Sequence, residues 1–339
     1  MNPISVKYSF LKILSQNDKK YVSGEVFGRE LGISRTAVWK HVQELRGDGY
    51  KIEACTRQGY RLVGKCDIIN PNELRTNLNT SILGKNIQFM KETESTNDLA
   101  ESLARGGGAE GTVIIADRQI AGRGRMGRIW ISPPGKGIWM SLILRPSLAP
   151  AQAQLITLAA SLAVSRALYK VAHVCPGIKW PNDVILDGKK VCGILTEMNT
   201  EINRINYIIL GIGINFGQRE SDFEDEIREK AISLSMYLQR NSKHFENIFR
   251  SDIIKAVIEE LEELYTGLLD GDRASITEGW KKYSITLGRI ISVVSGNIRY
   301  IGKAVDIAAD GSLVIEREDG TTKTVASGEA SIRGIMGYI

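Results

Sequence analysis

Residues 122–130 read GRGRMGRIW, with three arginines and three glycines inside seven positions and a tryptophan at the end. Glycine lets a backbone approach a ligand closely and adopt angles that other residues avoid. Arginine offers a forked set of donors that matches phosphate or carboxylate. The combination fits a loop that embraces an anion, and a solvated basic turn is the alternative reading of the same composition. The stretch lacks the lysine and hydroxyl that close a P-loop, GxxxxGK[ST]. It follows the β-like run VIIADRQ and is expected to order around its ligand.

Two more clusters carry possible chemistry. Residues 178–198 read IKWPNDVILDGKKVCGILTEM. Pro181, Asn182 and Asp183 punctuate a strand end, and Asp187-Gly188 is a hairpin turn. Strand alternation places either Lys189 or Lys190 toward a cleft, where an ammonium would neutralise a reacting carboxyl or phosphate. Two solvated turn lysines are the alternative. Asp183 could hold a metal or an arginine, or cap the turn. Glu94, Ser95, Thr96, Asn97 and Asp98 form a small polar helix start, suited to a carboxylate or phosphate and equally to plain capping. His41, His173 and His244 are scattered, the four cysteines have no zinc spacing, and no HExxH or GxSxG occurs. No metal ligand set and no acyl-enzyme nucleophile are therefore assigned.

These residues need elements to position them, and 339 residues exceed one ordinary core. An apolar content of 43 % and a charged content of 24 % exclude a disordered chain. Residues 1–66 hold twelve Lys plus Arg against six Asp plus Glu, while the rest is near balance, so the first fifth favours a polyanionic partner. There Ser23 and Ser34 cap two short helices separated by Gly32, with Val26, Phe27 and Leu31, then Ala37, Val38, Val42 and Leu45, on the apolar sides. A hairpin turning at 57–59 completes a winged helix-turn-helix. Arg35, Thr36, Trp39, Lys40 and Gln43 are its outward, DNA-facing candidates, although Trp39 could pack inward and such domains also serve as protein-interaction modules.

The expected organisation is a DNA-binding domain over 1–66, a linker over 67–84, an α/β domain with a mixed sheet over 85–270, and a small β-barrel domain over 271–339. A long helix is expected over 151–171 and another over 244–268. The uncharged run 146–165 contains two prolines and several polar residues, so a packed helix is expected and not a membrane span. The N-terminus has no signal-peptide pattern, and the cysteine usage points to a reducing cytoplasm.

Taken in order, ESTN at 94–97, DRQIAGRGRMGRIW at 117–130, KWPND at 179–183, KKVCGIL at 189–195, GIGIN at 211–215 and GEASIR at 328–333 resemble the signatures of biotin protein ligases. With the N-terminal helix-turn-helix, the whole chain resembles the bifunctional type, a biotin–[acetyl-CoA-carboxylase] ligase that is also a biotin operon repressor. The resemblance implies a class II aminoacyl-tRNA-synthetase-like catalytic domain and an SH3-like C-terminal barrel. It implies that ATP, with Mg²⁺, and biotin give biotinyl-5′-AMP, and that a lysine of a biotin carboxyl carrier domain then displaces AMP. It also implies a homodimer, when loaded with adenylate, on an inverted-repeat operator.

By the same resemblance Ser95, Thr96 and Asn97 line the biotin pocket. Gln119, Gly122, Arg123 and Gly124 contact biotin or the acyl-phosphate, and Arg125 and Arg128 hold phosphates. Lys190, rather than Lys189, stands between the biotin carboxylate and the α-phosphate. Trp130 stacks near adenine, and Asn182 and Asp183 organise the nucleotide. Gly193 and the 211–215 strand, ending at Asn215, form walls, while Glu329 and Arg333 bring in the C-terminal domain. Met126 departs from an arginine found in some relatives, and the polar stretch 217–243 receives no role. A ligase without a DNA-binding role, and a lipoate-type ligase, are the alternatives.

Overall fold

The computed structural model describes residues 3–17, 20–64, 67–202, 204–295, 298–326 and 331–334. It divides into two compact units: Met1–Thr76 with Phe249–Ser251, and Asn77–Ile248 with Asp252–Ile339.

In the first unit, α1 (Pro3–Gln16), α2 (Gly24–Leu31) and α3 (Arg35–Gly47) are followed by a hairpin of β1 (Ile52–Cys55) and β2 (Gly59–Leu62) and by α4 (Pro71–Asn77). The Ser23 and Ser34 hydroxyls accept from the N–H groups of Val26 and Ala37, and Gly32 takes the left-handed conformation between the two helices. Phe10 stacks on Phe27 with ring centroids 3.8 Å apart, inside a core that also holds Val38, Val42 and Leu45. The opposite side of α3 exposes Arg35, Thr36, Trp39 and Lys40, with Gln43 half-buried. Trp39 is 57 % exposed, so it does not pack inward.

The second unit is built on a seven-stranded mixed sheet of β3 (Ile87–Thr93), β4 (Val113–Gln119), β5 (Gly137–Leu144), β6 (Gly177–Lys179), β7 (Asp183–Leu186), β8 (Lys189–Glu201) and β9 (Arg204–Asn215). The order is β3-β4-β5-β9-β8-β7-β6. Only β3 and β4 run parallel, joined by α5 (Thr96–Arg105) as the crossover, and β6 to β9 form the antiparallel run expected from their short spacings. Asp187 and Gly188, at φ 47° and 73°, make the β7–β8 hairpin turn. One face of the sheet carries α5, where Ala100 and Ala104 meet Ile114, Ile143 and Ile209. The other face carries α6 (Ala153–Ala172), whose Thr157 hydroxyl lies 2.7 Å from that of Thr196 on β8. This is the long apolar helix expected from the sequence, and 78 % of its most apolar window is buried in the protein.

Between the sheet and the C-terminal strands stand α7 (Asp225–Arg228), α8 (Leu234–Arg240), α9 (Arg250–Leu269) and α10 (Ala274–Tyr283). The α9 helix begins six residues later than the expected 244. The α10 helix occupies a stretch expected to be β, because Ile276, Thr277 and Trp280 recur at helical spacing and are buried. Glu262 of α9 holds the segment before β3. Its carboxylate accepts from the N–H groups of Ser81 at 2.5 Å, Ile82 at 2.9 Å and Leu83 at 2.7 Å, and from the Ser81 hydroxyl at 2.7 Å. Burial alone would raise the Glu262 pKa, but these bonds outweigh it and hold it below the ordinary glutamate value.

The C-terminal strands β10 (Ile290–Ser295), β11 (Ile298–Ile307), β12 (Leu313–Glu316), β13 (Thr322–Val325) and β14 (Ser331–Gly334) do not form the expected SH3-like barrel. They lie in the order β13-β12-β11-β10-β14, and among the described residues nothing pairs β13 with β14. The last strand adds to the free side of β10, so the sheet stays open with two edges. It is tied to the central sheet at Trp180. The Trp180 main-chain N–H donates to Thr286 Oγ1 at 2.9 Å, and its indole N–H donates to Gly311 O at 3.2 Å. The Trp180–Pro181 peptide is cis.

Glu262→Gln retains the shape of this clamp but turns one acceptor into a donor that faces buried N–H groups. We expect a loss of about 3 kcal/mol in urea unfolding at neutral pH. A depressed folded pKa means the contribution is complete above the unfolded value of about 4.3 and is lost as pH falls through the lower folded value. The gap between wild type and variant should therefore narrow below about pH 4, and a gap that widens on acidification would contradict this role.

Candidate active site

The α5-bearing face of the central sheet carries glycines where β8 and β9 meet. Gly193 on β8 pairs with Gly213 on β9, and Leu195 pairs with Gly211. On the next strand Trp139 lies opposite Gly213 and Ser141 opposite Gly211. A Cβ on Gly211 would sit 2.3 Å from Asn97 Oδ1, and one on Gly213 would sit 2.6 Å from the indole nitrogen of Trp130. Glycine weakens a strand, and here it makes the room that Asn97 and Trp130 occupy. Trp130 meets Trp139 edge-on, with centroids 6.4 Å apart. Both indole nitrogens are buried, with no hydrogen-bond partner among the described residues.

The polar rim comes from the start of α5. Ser95 caps the helix and is buried with Thr96 and Asn97. The Thr96 N–H and hydroxyl donate to Gln119 Oε1 at 2.8 and 2.9 Å, and Gln119 Nε2 donates to Ser132 Oγ at 2.9 Å. The Ser141 hydroxyl lies within hydrogen-bonding distance of both Thr96 Oγ1 and Asn97 Oδ1, while Asn97 Nδ2 donates to Glu197 at 2.6 Å. These side chains are fixed by one another, so a ligand meets a rim whose orientations are already set.

The arginine–glycine loop folds back on itself. Gly124 N–H donates to Arg128 O at 2.7 Å and Trp130 N–H to Gly122 O at 2.8 Å. A Cβ on Gly122 would lie 2.4 Å from Trp130 O, so this glycine shapes the loop. Arg123 reaches Asp98 at 2.5 Å and Glu197 at 3.1 Å. Arg125 donates to Asn182 Oδ1 at 3.1 Å. Burial pulls the Arg125 pKa below its ordinary value, Asp183 opposing the shift and Arg128 adding to it. A half-buried cation flanked by another cation gains from an arriving anion.

A bulge selects the lysine. Counting strict alternation back from Gly193 turns Lys189 inward and Lys190 outward. On β7, however, Val184 faces Cys192 and Ile185 faces Lys190, so Val191 is an extra residue on β8. The bulge brings Lys190 to the Gly193 face, where a glycine Cβ would be 2.9 Å from its Nζ. Its ammonium pairs with Asp183 Oδ1 at 2.5 Å and lies 5.2 Å from the centre of the Trp130 ring. Lys189 points away, to Arg228 O at 3.4 Å and Glu229 at 3.2 Å. Burial pushes the Cys192 thiol pKa up, as suits a small core residue.

One cleft thus gathers Ser95, Thr96, Asn97, Gln119, Arg123, Gly124, Arg125, Trp130, Asn182, Lys190 and Gly193. Arg128 is exposed and does not line the cleft, and Met126 is 77 % exposed at φ 59°. Asn215 does not line the cleft; it is buried behind Lys190, with its amide nitrogen 3.4 Å from Lys190 O. Arg333 stands on β14 opposite Ser292, and Glu329 falls outside the described residues. Sequence reasoning missed Trp139 and Met140, which line the cleft from within an unbroken apolar strand, and Ser141 and Glu197, which hold rim and arginine; Asp98, named with the polar helix start, pairs with Arg123 instead. The small polar Ser141 in GIWMSLIL was the one available signal.

Residues 89–215 match the biotin/lipoate A/B protein ligase family, residues 7–61 an HTH domain and residues 286–333 the biotin protein ligase C terminal domain. The chain is 38 % identical over 319 residues to the bifunctional ligase/repressor BirA of Bacillus spizizenii and, equally, to that of Bacillus subtilis, covering 94 % of this chain and 96 % of each relative. Its structure is similar to the biotin protein ligase from Aquifex aeolicus in complex with biotin and ATP, at a TM-score of 0.60 and 31 % identity, over 74 % of this chain and 99 % of that one. On these matches the chain belongs to the BirA family of bifunctional biotin ligase/repressors.

Proposed function

We propose that this chain joins biotin to ATP in the cleft described above, transfers the biotinyl group to a carrier lysine, and represses biotin genes through its N-terminal unit. The observation that carries the chemistry is the convergence of Lys190, Arg123 and Arg125 beside an apolar, glycine-floored slot. In the first step a carboxylate oxygen of biotin attacks the α-phosphorus and pyrophosphate leaves. Both reactants are anionic, so their approach costs free energy that nearby cations offset. Lys190 would stand between the two, Arg125 would hold phosphate, and Arg123 would exchange its carboxylate partners for the acyl-phosphate. Ser95, Thr96, Asn97 and Gln119 would meet the polar end of biotin, and Trp130 and Trp139 its rings.

In the second step the carrier lysine attacks the acyl carbon and AMP leaves, which requires no protein nucleophile. Among the described residues no three His, Cys, Asp or Glu side chains cluster as a metal cage. Asp183 is the carboxylate that would help hold a nucleotide-bound Mg²⁺, which would add to the neutralisation of charge. Chemistry would belong to residues 85–270, DNA contact to 1–66, and coverage of the nucleotide side to 271–339, with the cytoplasm as the working compartment.

For repression, Arg35, Thr36, Trp39, Lys40 and Gln43 would face the major groove, and an adenylate-loaded homodimer would bind an inverted repeat. Coupling then requires that adenylate bind one of two states more tightly.

Protein given biotin, Mg²⁺ and α-labelled ATP should form biotinyl-AMP; turnover with lipoate or octanoate alone would overturn the acid assignment. Lys190→Ala should lower that rate at least 100-fold, on the scale of one preorganised charge, and a near-normal rate would remove the lysine from the chemistry. In footprinting, biotin plus ATP should strengthen protection of an inverted repeat, and Lys40→Ala should reduce the salt slope of binding by about one. Protection that ignores biotin and ATP would break the proposed coupling.

A further inference from the structure

We infer that the polar stretch 217–243 is a clamp that positions Lys190 through its main chain, with Asn215 as its keystone. The inference rests on the catalytic reading of Lys190 given above.

The β8 strand runs past the end of its neighbour. Its last pair with β9 in this direction is Cys192 with Ile214, and Lys190 lies beyond it. A strand without a neighbour leaves N–H and C=O groups unmatched, and at a bulge the ladder on the other side is disrupted as well. The stretch after β9 supplies the missing partner. Lys190 N–H donates to Lys230 O at 2.7 Å, and Lys190 O accepts from Ile232 N–H at 3.0 Å, forming a parallel bridge centred on Ala231.

Asn215 closes this bridge from the end of β9. Its Nδ2 donates to Lys190 O at 3.4 Å and to Ile232 O at 3.3 Å. Gln218 Nε2 donates to Asn215 Oδ1 at 3.0 Å, which fixes the end of the amide that faces the two carbonyls. The Ser233 hydroxyl in turn donates to Gln218 O at 2.6 Å. The neighbouring turn also captures the competing lysine, since Lys189 Nζ lies against Arg228 O and Glu229. A one-residue change of register would exchange the faces of the two lysines. The clamp opposes that change at both residues, on the main chain of Lys190 and on the side chain of Lys189. Asn215 is thereby a positioning residue.

Asn215→Asp keeps the size of the side chain and replaces the donor facing two carbonyls with an acceptor. At saturating biotin and ATP, kcat for adenylate formation should fall at least tenfold, as expected for a displaced reacting group. Biotin affinity should stay within twofold, and amide hydrogen exchange at residues 189–193 should accelerate. An unchanged kcat, or a loss confined to KM for ATP, would overturn the clamp, the latter by making Asn215 a nucleotide contact. The wild-type protein offers a test that does not depend on a folded variant. The Lys190 amide should be protected like that of Ile194, whose N–H donates to Asn182 O at 3.0 Å, and exchange at loop rates would overturn the proposal. Lys190→Ala separates the two readings. If it is inactive while Asn215→Asp is normal, the clamp alone fails; if it is active at near-normal rates, both fail.

Discussion

Three cations gathered beside an apolar floor set the terms for the rest of the second unit. Like charges repel, and burial also disfavours the Arg125 guanidinium. The structure answers with a counter-group for every one: Asp98 and Glu197 for Arg123, Asn182 for Arg125, Asp183 for Lys190. Those partners come from α5, β7, β8 and the turn between β6 and β7. The cleft is therefore a meeting of a helix, two strands, a turn and the arginine–glycine loop, and no one of them carries it alone.

The floor imposes the complementary demand. Three glycines on adjacent strands are a poor way to strengthen a sheet, yet each lies where a single Cβ would collide with Asn97, Trp130 or Lys190. The strands regain their footing on the far face, where α6 packs against them with an almost wholly buried apolar surface. Rigidity on one side permits bareness on the other.

Much of this was legible in the residues. Helix caps at Ser23, Ser34 and Ser95, the turn at Asp187-Gly188 and the apolar run of α6 are local signals, and local chemistry decided them. The clustering of ESTN, the arginine–glycine loop, KWPND and Lys190 followed from their joint resemblance to one family. What stayed hidden was non-local. An extra residue at Val191 is visible only in the pairing of two strands, and strict alternation would have named the wrong lysine. The burial of Asn215 depends on a segment without a recognisable pattern. The open C-terminal sheet depends on which edge the last strand joins, which no periodicity encodes.

The anchorage of Trp180 has a consequence in time as well as in space. Every residue lining the cleft precedes position 214, whereas the partners of Trp180 are Thr286 and Gly311. Asn182 and Asp183, which steady Arg125 and Lys190, follow Trp180 by two and three residues. A chain emerging from the ribosome therefore carries the whole catalytic vocabulary for about a hundred residues of synthesis before the bonds that seat its central turn exist. A product ending before Thr286 would carry the residues that line the cleft without the two bonds that seat the Trp180 turn.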